Sequence, residues 1–280
     1  MTLESPSITL ISIFSQILSA VLCLAFAFKT NPYFKFSKDD LKFDTKLVSK
    51  VIKLGVPLSL QYSLIAISTM ALQSVVNSFG VTATATFTST SRIESIIHQP
   101  YQTIATAVST FAGQNYGAKK MRRIVRGYRD SLKIMAIFTV VMLVVMQLFS
   151  KYIMMIFVKE PEVIAMGTKA LKITSLFYIT LGGLYVIRGV SNGLGDGLFA
   201  LINGVVEVFG RFIVPIALVS VPFIGVWGIW WSTGIVWAVS GITAWLRYIY
   251  YGGKKMKLKY SDLKNLRNDY DSDLPIQVEQ

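Results

Sequence analysis

Long apolar stretches alternate with short polar connections along the whole chain. Seven of the stretches are long enough to cross a membrane as a helix, which takes roughly 20 predominantly apolar residues, and they lie at 7–28, 54–79, 82–112, 132–157, 163–187, 198–221 and 226–251. The third stretch is unusually polar, because it is rich in threonine and serine and contains Arg92, Glu94 and His98. The pattern predicts an all-α membrane protein with seven transmembrane helices.

The composition fits a membrane protein better than a soluble one. Of the 280 residues, 53% are hydrophobic and 15% are charged, whereas a soluble domain has about 25% charged residues. The net charge of +13 does not indicate a nucleic-acid partner, because the basic residues cluster beside apolar stretches, where they favour contact with membrane lipid. The single cysteine, Cys23, excludes a disulfide within the chain and a cysteine-based metal site. The first stretch has no basic residue before it, so we expect a retained helix and not a cleaved signal peptide.

Basic residues are concentrated in alternate connections. The segments 29–53, 113–133 and 247–267 each contain seven Lys or Arg, 21 of the 28 in the chain, whereas the other set of connections contains Lys151, Lys159 and Lys169. Lys and Arg beside membrane helices mark the cytoplasmic side. We therefore expect the N-terminus outside, the C-terminus in the cytoplasm, and a location in the plasma membrane, in bacteria the inner membrane.

Four ionisable residues stand out among those inside predicted spans, where a charge is costly and therefore indicates function. Glu207 and Arg211 are four residues apart, so they lie on one helix face and can pair, either as a structural ion pair or in a functional site. Arg92 and Glu94 are two residues apart and point in different directions, so each needs a partner elsewhere. Glu94 belongs to the most polar stretch, as expected of a helix that lines a water-filled cavity.

Further polar side chains have both a structural and a functional interpretation. Asp196 in the sequence GLGDG is either a turn aspartate or a cation site at the mouth of a cavity. His98 is the only histidine; it can titrate near neutral pH, although a polar helix face also explains it. The second stretch has a polar, hydrogen-bonding stripe formed by Gln61, Tyr62, Gln73 and Asn77.

The motifs of common enzymes do not occur. The chain has no HExxH, no GxSxG and no GxxxxGK[ST] sequence. This favours secondary transport over ATP-driven transport or membrane catalysis, and it predicts no cofactor and no metal site. Helix kinks, which transporters use, are expected at the prolines within predicted spans, Pro57, Pro100 and Pro215.

Several motifs resemble those of the MATE family, the multidrug and toxic compound extrusion antiporters. The segment FAGQNYGAKK after the third stretch is similar to the family's GQNxGA signature, with Gly113, Gln114, Asn115 and Gly117 as the signature residues. LGVPLSLQ at 54–61 resembles the start of the family's seventh helix, and RGVSNGLGD at 188–196 resembles the end of its tenth. The resemblance extends from about residue 7 to residue 259 and follows the family's order.

The resemblance implies one six-helix half of a twelve-helix transporter, plus one extra N-terminal helix. Residues 1–28 would be the last helix of a missing N-terminal half, 29–53 the basic cytoplasmic linker, 54–251 the six-helix half and 252–280 a cytoplasmic tail. Family members export cationic, amphipathic compounds in exchange for Na⁺ or H⁺, through a cavity between the two halves. The expected partners are therefore a small-molecule substrate, a coupling ion and the missing half.

Site residues follow from the family only in part. Some members have a glutamate in the seventh helix where this chain has Ile65, whereas Asp196 matches the aspartate that closes the tenth-helix motif. We expect Glu94, Asp196 and Glu207 to face the cavity and attract cations, and Arg92 and Arg211 to hold these carboxylates in place. Gln61, Tyr62, Gln73, Asn77 and His98 are expected to line the cavity.

Three other interpretations remain open. A flippase for lipid-linked oligosaccharides from the same superfamily should have a strongly basic cavity, whereas this chain mixes signs. A retinal protein needs a lysine in the middle of the seventh helix, and 226–251 contains none. The third is a truncated fragment that does not transport by itself.

Overall fold

The computed structural model describes residues 6–30 and 44–255, which form helices joined by short turns. The helices are α1 (Pro6–Thr30), α2 (Thr45–Asn77), α3 (Val81–Gly117), α4 (Met121–Phe157), α5 (Pro161–Ser175), α6 (Tyr178–Gly193), α7 (Gly197–Val219) and α8 (Gly228–Lys255), with a 3₁₀ turn at Gly225–Trp227. No strand occurs in the described ranges, and the prediction of an all-α protein is confirmed. Residues 31–43 of the predicted linker and 256–280 of the predicted tail lie outside the described residues.

The chain divides into two compact units, residues 1–51 and residues 52–280. In the described part of the first unit, α1 exposes large apolar side chains along its length, among them Leu10, Phe14 and Phe26. A bilayer solvates such a surface, and α1 is long and apolar enough to span one.

The helices correspond to the seven predicted spans. Five of them, α1, α2, α4, α7 and α8, are long and apolar enough to cross a membrane, and α5 and α6 meet the same test as a pair. The remaining helix, α3, has 37 residues, the same length as α4, but its polar composition keeps it from being recognised by hydropathy. The sequence had indicated this polarity.

The predicted fifth span, 163–187, is broken, with a bend of 53° between α5 and α6. The amides of Leu176 and Phe177 bond three residues back instead of four, so the carbonyl of Lys172 loses its helical partner. The side-chain amide of Gln147 on α4 and the hydroxyl of Ser175 each donate to that carbonyl at 2.9 Å. Backbone groups freed at membrane depth need a protein partner, so Gln147 stabilises the bend.

The connection between α3 and α4 is shorter than predicted. α3 continues to Gly117 instead of ending at residue 112, and α4 begins at Met121 instead of residue 132. The chain reverses over three residues, where Lys119 has a positive φ of 58°. The signature residues therefore lie in the last turns of α3 and do not form a tight turn. At 1.5 Å per residue, α4 is about 55 Å long, so its basic first turns reach beyond a hydrocarbon core of roughly 30 Å.

Small residues bring α3 and α6, the main packing partners in the second unit, close together. A β-carbon added at Gly193 would lie 2.8 Å from Ala112 Cβ, and one added at Gly189 would lie 3.1 Å from Ala105 Cα. A β-carbon at Gly113 would lie 3.3 Å from the carbonyl oxygen of Gly193. The two motifs GQNYGA and RGVSNGLGD thus pack against each other, as small residues do where membrane helices approach closely.

Candidate functional site

A polar cavity of about 480 Å³ lies within the second unit, between α2, α3, α6, α7 and α8. Its polar lining consists of Tyr62, Thr69, Ser91, Glu94, Ser95, His98, Gln102, Thr106, Ser109, Thr110, Tyr185, Arg188, Asn192, Glu207, Arg211 and Thr233. No group of three or more His, Cys, Asp or Glu residues that could hold a metal ion occurs in the part of the chain that the structure describes.

The polarity of α3 has a direct structural reason. The cavity residues of this helix recur every three or four positions from Ser91 to Thr110, which places them on one face. Several of the hydroxyl groups donate to the carbonyl one turn earlier, as Ser95 does to Ser91 at 2.8 Å and Thr106 does to Gln102 at 2.9 Å. These hydroxyls form their hydrogen bonds within the helix. The ionisable groups on the same face, Glu94 and His98, line the cavity.

Glu207 lies between two arginines. Its side chain is 4% exposed, its Oε1 is 2.5 Å from Arg188 Nη2, and its Oε2 is 3.7 Å from Arg211 Nη2. The predicted pair of Glu207 with Arg211 is thus present, but the shorter contact is to Arg188. Arg188 Nη2 also donates to the side-chain oxygen of Asn203, and Arg211 Nη1 donates to Thr69 Oγ1 at 2.8 Å.

The predicted fifth span ends at residue 187 and leaves Arg188 in the connection that follows it. This is wrong, because Arg188 lies inside α6 and lines the cavity. The error arose from ending the fifth span at residue 187. The GxxxG spacing of Gly189 and Gly193 is the signal that could have extended this helix and moved the arginine into it.

Glu94 lines the cavity without a complete set of partners. Its Oε1 is buried and has no hydrogen-bond partner, and none of the ion pairs formed among the described residues includes it. One turn along α3, the Nε2 of His98 is also buried without a partner. The His98 ring lies 5.4 Å from Trp237 and 6.5 Å from Tyr185, measured between ring centroids. The imidazole of His98 thus lies among aromatic rings, one helical turn from Glu94.

Asp196 does not belong to the cavity lining. It is 4% exposed and caps α7, where its Oδ1 accepts from the amide of Phe199 at 3.2 Å. Both carboxylate oxygens also accept from Arg247 on α8, Oδ2 from Nε at 3.0 Å and Oδ1 from Nη2 at 3.1 Å. This arrangement corresponds to the structural interpretation of Asp196 as a turn residue.

The other predicted site residues divide between the cavity and its surroundings. Tyr62 lines the cavity, as does Ile65. Arg92 is exposed and lies outside the lining. Gln61 is 1% exposed and its amide is 3.5 Å from Asn203 Oδ1, which ties α2 to α7. Outside the lining, Gln73 donates to Asn77 Oδ1 at 2.9 Å, within α2.

The four signature residues lie outside the cavity lining and shape the end of α3. Asn115 is buried, and its side-chain amide donates to the carbonyl of Phe111 at 2.8 Å. The backbone amide of Lys120 donates to the carbonyl of Asn115 at 2.8 Å. The backbone amide of Ala118 donates to the carbonyl of Gln114 at 3.0 Å. The motif forms the C-terminal end of α3, and Gly113 lets this end pack closely against α6.

Comparison with known proteins gives a consistent picture. A family model described as MatE matches residues 57–216. The probable multidrug resistance protein YpnP of Bacillus subtilis is 31% identical over 208 residues, covering 74% of this chain and 46% of the relative. YoeA, a probable multidrug resistance protein of the same organism, is 28% identical, and the match covers 77% of this chain and 47% of YoeA. The multidrug export protein MepA of Staphylococcus haemolyticus is 22% identical, with 76% and 48% covered. The chain spans about half the length of these curated relatives.

Solved structures share the fold. A multidrug resistance MATE family transporter of the MOP superfamily in an outward-facing conformation superimposes with a TM-score of 0.78 at 20% identity, covering 87% of this chain and 54% of that one. A MOP superfamily transporter from Pyrococcus furiosus, described as having a binding pocket of reverse polarity, gives a TM-score of 0.77 at 21% identity, with 88% and 56% covered.

Proposed function

Because the chain belongs to the MatE family, whose matched relatives are transport proteins and not enzymes, we propose that it forms the C-terminal half of a secondary drug-efflux transporter. It is a multi-pass membrane protein. The proposed substrates are cationic or amphipathic compounds, which leave the cell in exchange for Na⁺ or H⁺.

The proposal depends most on Glu94, a carboxylate that lines the cavity and whose Oε1 is buried without a hydrogen-bond partner. An ionisable group inside a membrane-spanning helix is costly and usually serves transport. Its buried Oε1 has no hydrogen-bond partner, so a bound cation or proton can satisfy it. A coupling ion and a cationic substrate that use the same carboxylate exclude each other, which is what exchange across the membrane requires.

The cavity also argues against an oligosaccharide flippase. Such a protein would hold the phosphates of a lipid-linked sugar in a strongly basic cavity. Here the charged lining consists of two carboxylates, Glu94 and Glu207, and two guanidinium groups, Arg188 and Arg211. This mixture of positive and negative charges favours amphipathic organic ions as substrates.

Transport by alternating access requires a second half, and we propose an N-terminal half of the kind that the relatives possess. The orientation that we propose has the α3–α4 turn in the cytoplasm and the α4–α5 turn outside, because the basic residues cluster at the former. The location that we propose is the plasma membrane, in bacteria the inner membrane.

Drug accumulation in a bacterial strain without efflux pumps of its own tests the proposal. The chain is expressed alone, with the N-terminal half of a Bacillus subtilis relative as a separate polypeptide, and fused behind that half. We expect cells with both halves to accumulate less ethidium than cells with either half alone. Equal accumulation in all strains, with both halves shown to be present in the membrane, contradicts the proposal.

A further inference from the structure

The first turns of α4 carry a dense positive charge on a firmly packed support. Three apolar residues of these turns, Met121, Ile124 and Val125, are buried in one cluster with residues of α3 and α6. The opposite side of the same turns is exposed and forms the basic face of α4, which consists of Lys120, Arg123 and Arg126. Residues 119–129 contain six basic side chains and no acidic one. The basic face is therefore a fixed surface of high charge.

Lipid headgroups reach only part of this surface. The apolar part of α4 begins at Ile134, directly after Lys133. At 1.5 Å per residue, Arg123 lies roughly 16 Å beyond Ile134 along the helix axis, and Lys120 about 21 Å. The headgroup layer is only about 5–8 Å thick on each side, since a bilayer measures about 40–45 Å in all and its hydrocarbon core about 30 Å. Lys120 and Arg123 therefore project beyond the headgroups, where they meet partners outside the bilayer.

The described residues do not neutralise this part of the basic face. Lys120 and Arg123 are exposed, and neither forms any of the ion pairs found among the residues that the structure describes. The first acidic residue of α4 is Asp130, which pairs with Lys133 at 3.2 Å. The surface thus has an excess of positive charge that an acidic partner would complement.

The segment after α8 has the opposite charge. Residues 268–280, which lie outside the described residues, contain four acidic side chains and no basic one, Asp269, Asp271, Asp273 and Glu279. The end of α8 lies beside the start of α4, because the ring centroids of Tyr248 and Tyr128 are 4.4 Å apart. The acidic segment and the basic face are therefore on the same side of the membrane.

The acidic segment is also long enough to reach the basic face. Asp269 follows Lys255, the last residue of α8, by 14 residues, which span up to roughly 46 Å when extended. Lys120 is only about 12 Å from Tyr128 along α4. The chain length therefore allows the contact with a wide margin.

We propose that residues 269–273 dock on the basic face of α4, so that the chain's own acidic segment is the partner of Lys120 and Arg123. The sequence DYDSD brings three carboxylates within five residues, opposite three basic side chains. The contact fastens the end of α8 to the turns that connect α3 and α4. Because exposed charges form it, salt weakens it. It does not rest on the proposed function, and its test does not require transport.

The distance between two spin labels tests the docking. Cys23→Ser removes the only cysteine, and Ala118→Cys, at an exposed position of the α3–α4 turn, is combined with Ser272→Cys, so that no charge changes. The purified 280-residue chain in lipid nanodiscs is measured by double electron–electron resonance. We expect a short, narrow distance at low salt and a broad distribution at high salt, since the Debye length falls from about 10 Å at 0.1 M to about 3 Å at 1 M. A distribution that salt does not change, whether short or broad, overturns the proposal.

Charge variants assign the contact to the two segments. Lys120→Gln with Arg123→Gln should broaden the low-salt distribution, whereas Lys151→Gln with Lys159→Gln, which removes the same charge from exposed positions at the opposite end of α4, should leave it short. Lys120→Glu with Arg123→Glu should regain the short distance when Asp269→Lys, Asp271→Lys and Asp273→Lys are added. Equal effects of the two glutamine pairs, or no recovery on exchange of the charges, overturn the proposal.

The lipid composition of the nanodiscs distinguishes the acidic segment from lipid as the occupant. Discs of phosphatidylcholine are compared with discs that also contain phosphatidylglycerol. We expect the short distance in both, because Lys120 and Arg123 lie beyond the headgroups. Loss of the short distance in the presence of phosphatidylglycerol means that anionic lipid occupies the basic face, and it overturns the proposal.

Discussion

Glu94 is a carboxylate on a polar helix whose buried oxygen lacks a hydrogen-bond partner. Replacement by glutamine keeps the shape and removes the negative charge. Because one charge-assisted contact is worth about 1.5–3 kcal/mol, Glu94→Gln should lower the affinity for a cationic substrate by roughly 10- to 100-fold and abolish efflux. Ethidium accumulation in cells that contain both halves measures the effect.

Glu162→Gln is the matched control for this variant, because Glu162 is exposed in the first turn of α5. It should leave accumulation unchanged. Efflux by Glu94→Gln at the parent's rate, with equal expression, would show that Glu94 has no part in transport.

Asp196 and Asp130 each pair with a basic side chain, in very different surroundings. The side chains of Asp196 and Arg247 are 3% and 22% exposed, whereas those of Asp130 and Lys133 are 56% and 75% exposed. Removing one partner of a buried pair costs about 3–5 kcal/mol, and an exposed pair contributes about 0–1 kcal/mol. Asp196→Ala should therefore lower the thermal unfolding temperature in detergent far more than Asp130→Ala, and similar shifts for the two variants would contradict this assignment.

The spacing of residues along one helix predicts contacts within that helix, but not contacts with other helices. The four-residue separation of Glu207 and Arg211 places them on one face, and their pair is present at 3.7 Å. The stronger partner, Arg188, is 19 residues away in sequence, and the partner of Asp196 is 51 residues away. Such contacts depend on how helices pack, which the pattern of one chain does not encode.

At the scale of helices, the α3–α6 interface depends on glycine at defined positions. A β-carbon at Gly193 would lie 2.8 Å from Ala112 Cβ and 3.0 Å from the backbone nitrogen of Gly113, whereas one at Gly183 would meet nothing within 4 Å. Backbone atoms cannot move aside as a flexible side chain can. Gly193→Ala should therefore destabilise the protein by about 1–3 kcal/mol, although alanine has the higher helix propensity.

Gly183→Ala is the matched control for Gly193→Ala, because Gly183 lies in the same helix, α6. It should leave stability unchanged or raise it by up to about 1 kcal/mol. The two variants are compared by thermal unfolding in detergent. If both have the same effect, helix propensity and not packing determines the response.

Hydropathy and polar patterning predicted which segments are helical, but not where the helices end or break. The polar face of α3 follows from the spacing of its serines, threonines and Glu94, which the sequence displays. The bend after Ser175 involves no proline, and the freed carbonyl of Lys172 accepts from the Ser175 hydroxyl and from Gln147 on another helix. The basic start of α4 is helical although it is not apolar, because a helix can continue beyond the bilayer.

At the scale of the whole molecule, charge should determine the orientation in the membrane. α4 connects two turns that differ in charge: Lys119 and Lys120 precede it, whereas Lys159 and Glu160, which offset each other, follow it. Since basic residues beside spans stay in the cytoplasm, we expect the α3–α4 turn inside and the α4–α5 turn outside. Both Lys120 and Glu160 are exposed, so cysteines placed there are accessible to a reagent.

Labelling of single cysteines tests this orientation. Cys23, the only cysteine of the chain, is first replaced in Cys23→Ser, and Lys120→Cys and Glu160→Cys are each added to that background. A membrane-impermeant maleimide applied to intact cells should label Glu160→Cys, and should label Lys120→Cys only after the membrane is permeabilised, while the background alone stays unlabelled. The reverse pattern would place the basic turn outside. The clusters of Lys and Arg would then have to serve another purpose, such as binding an anionic partner, and the positive-inside argument would not hold for this chain.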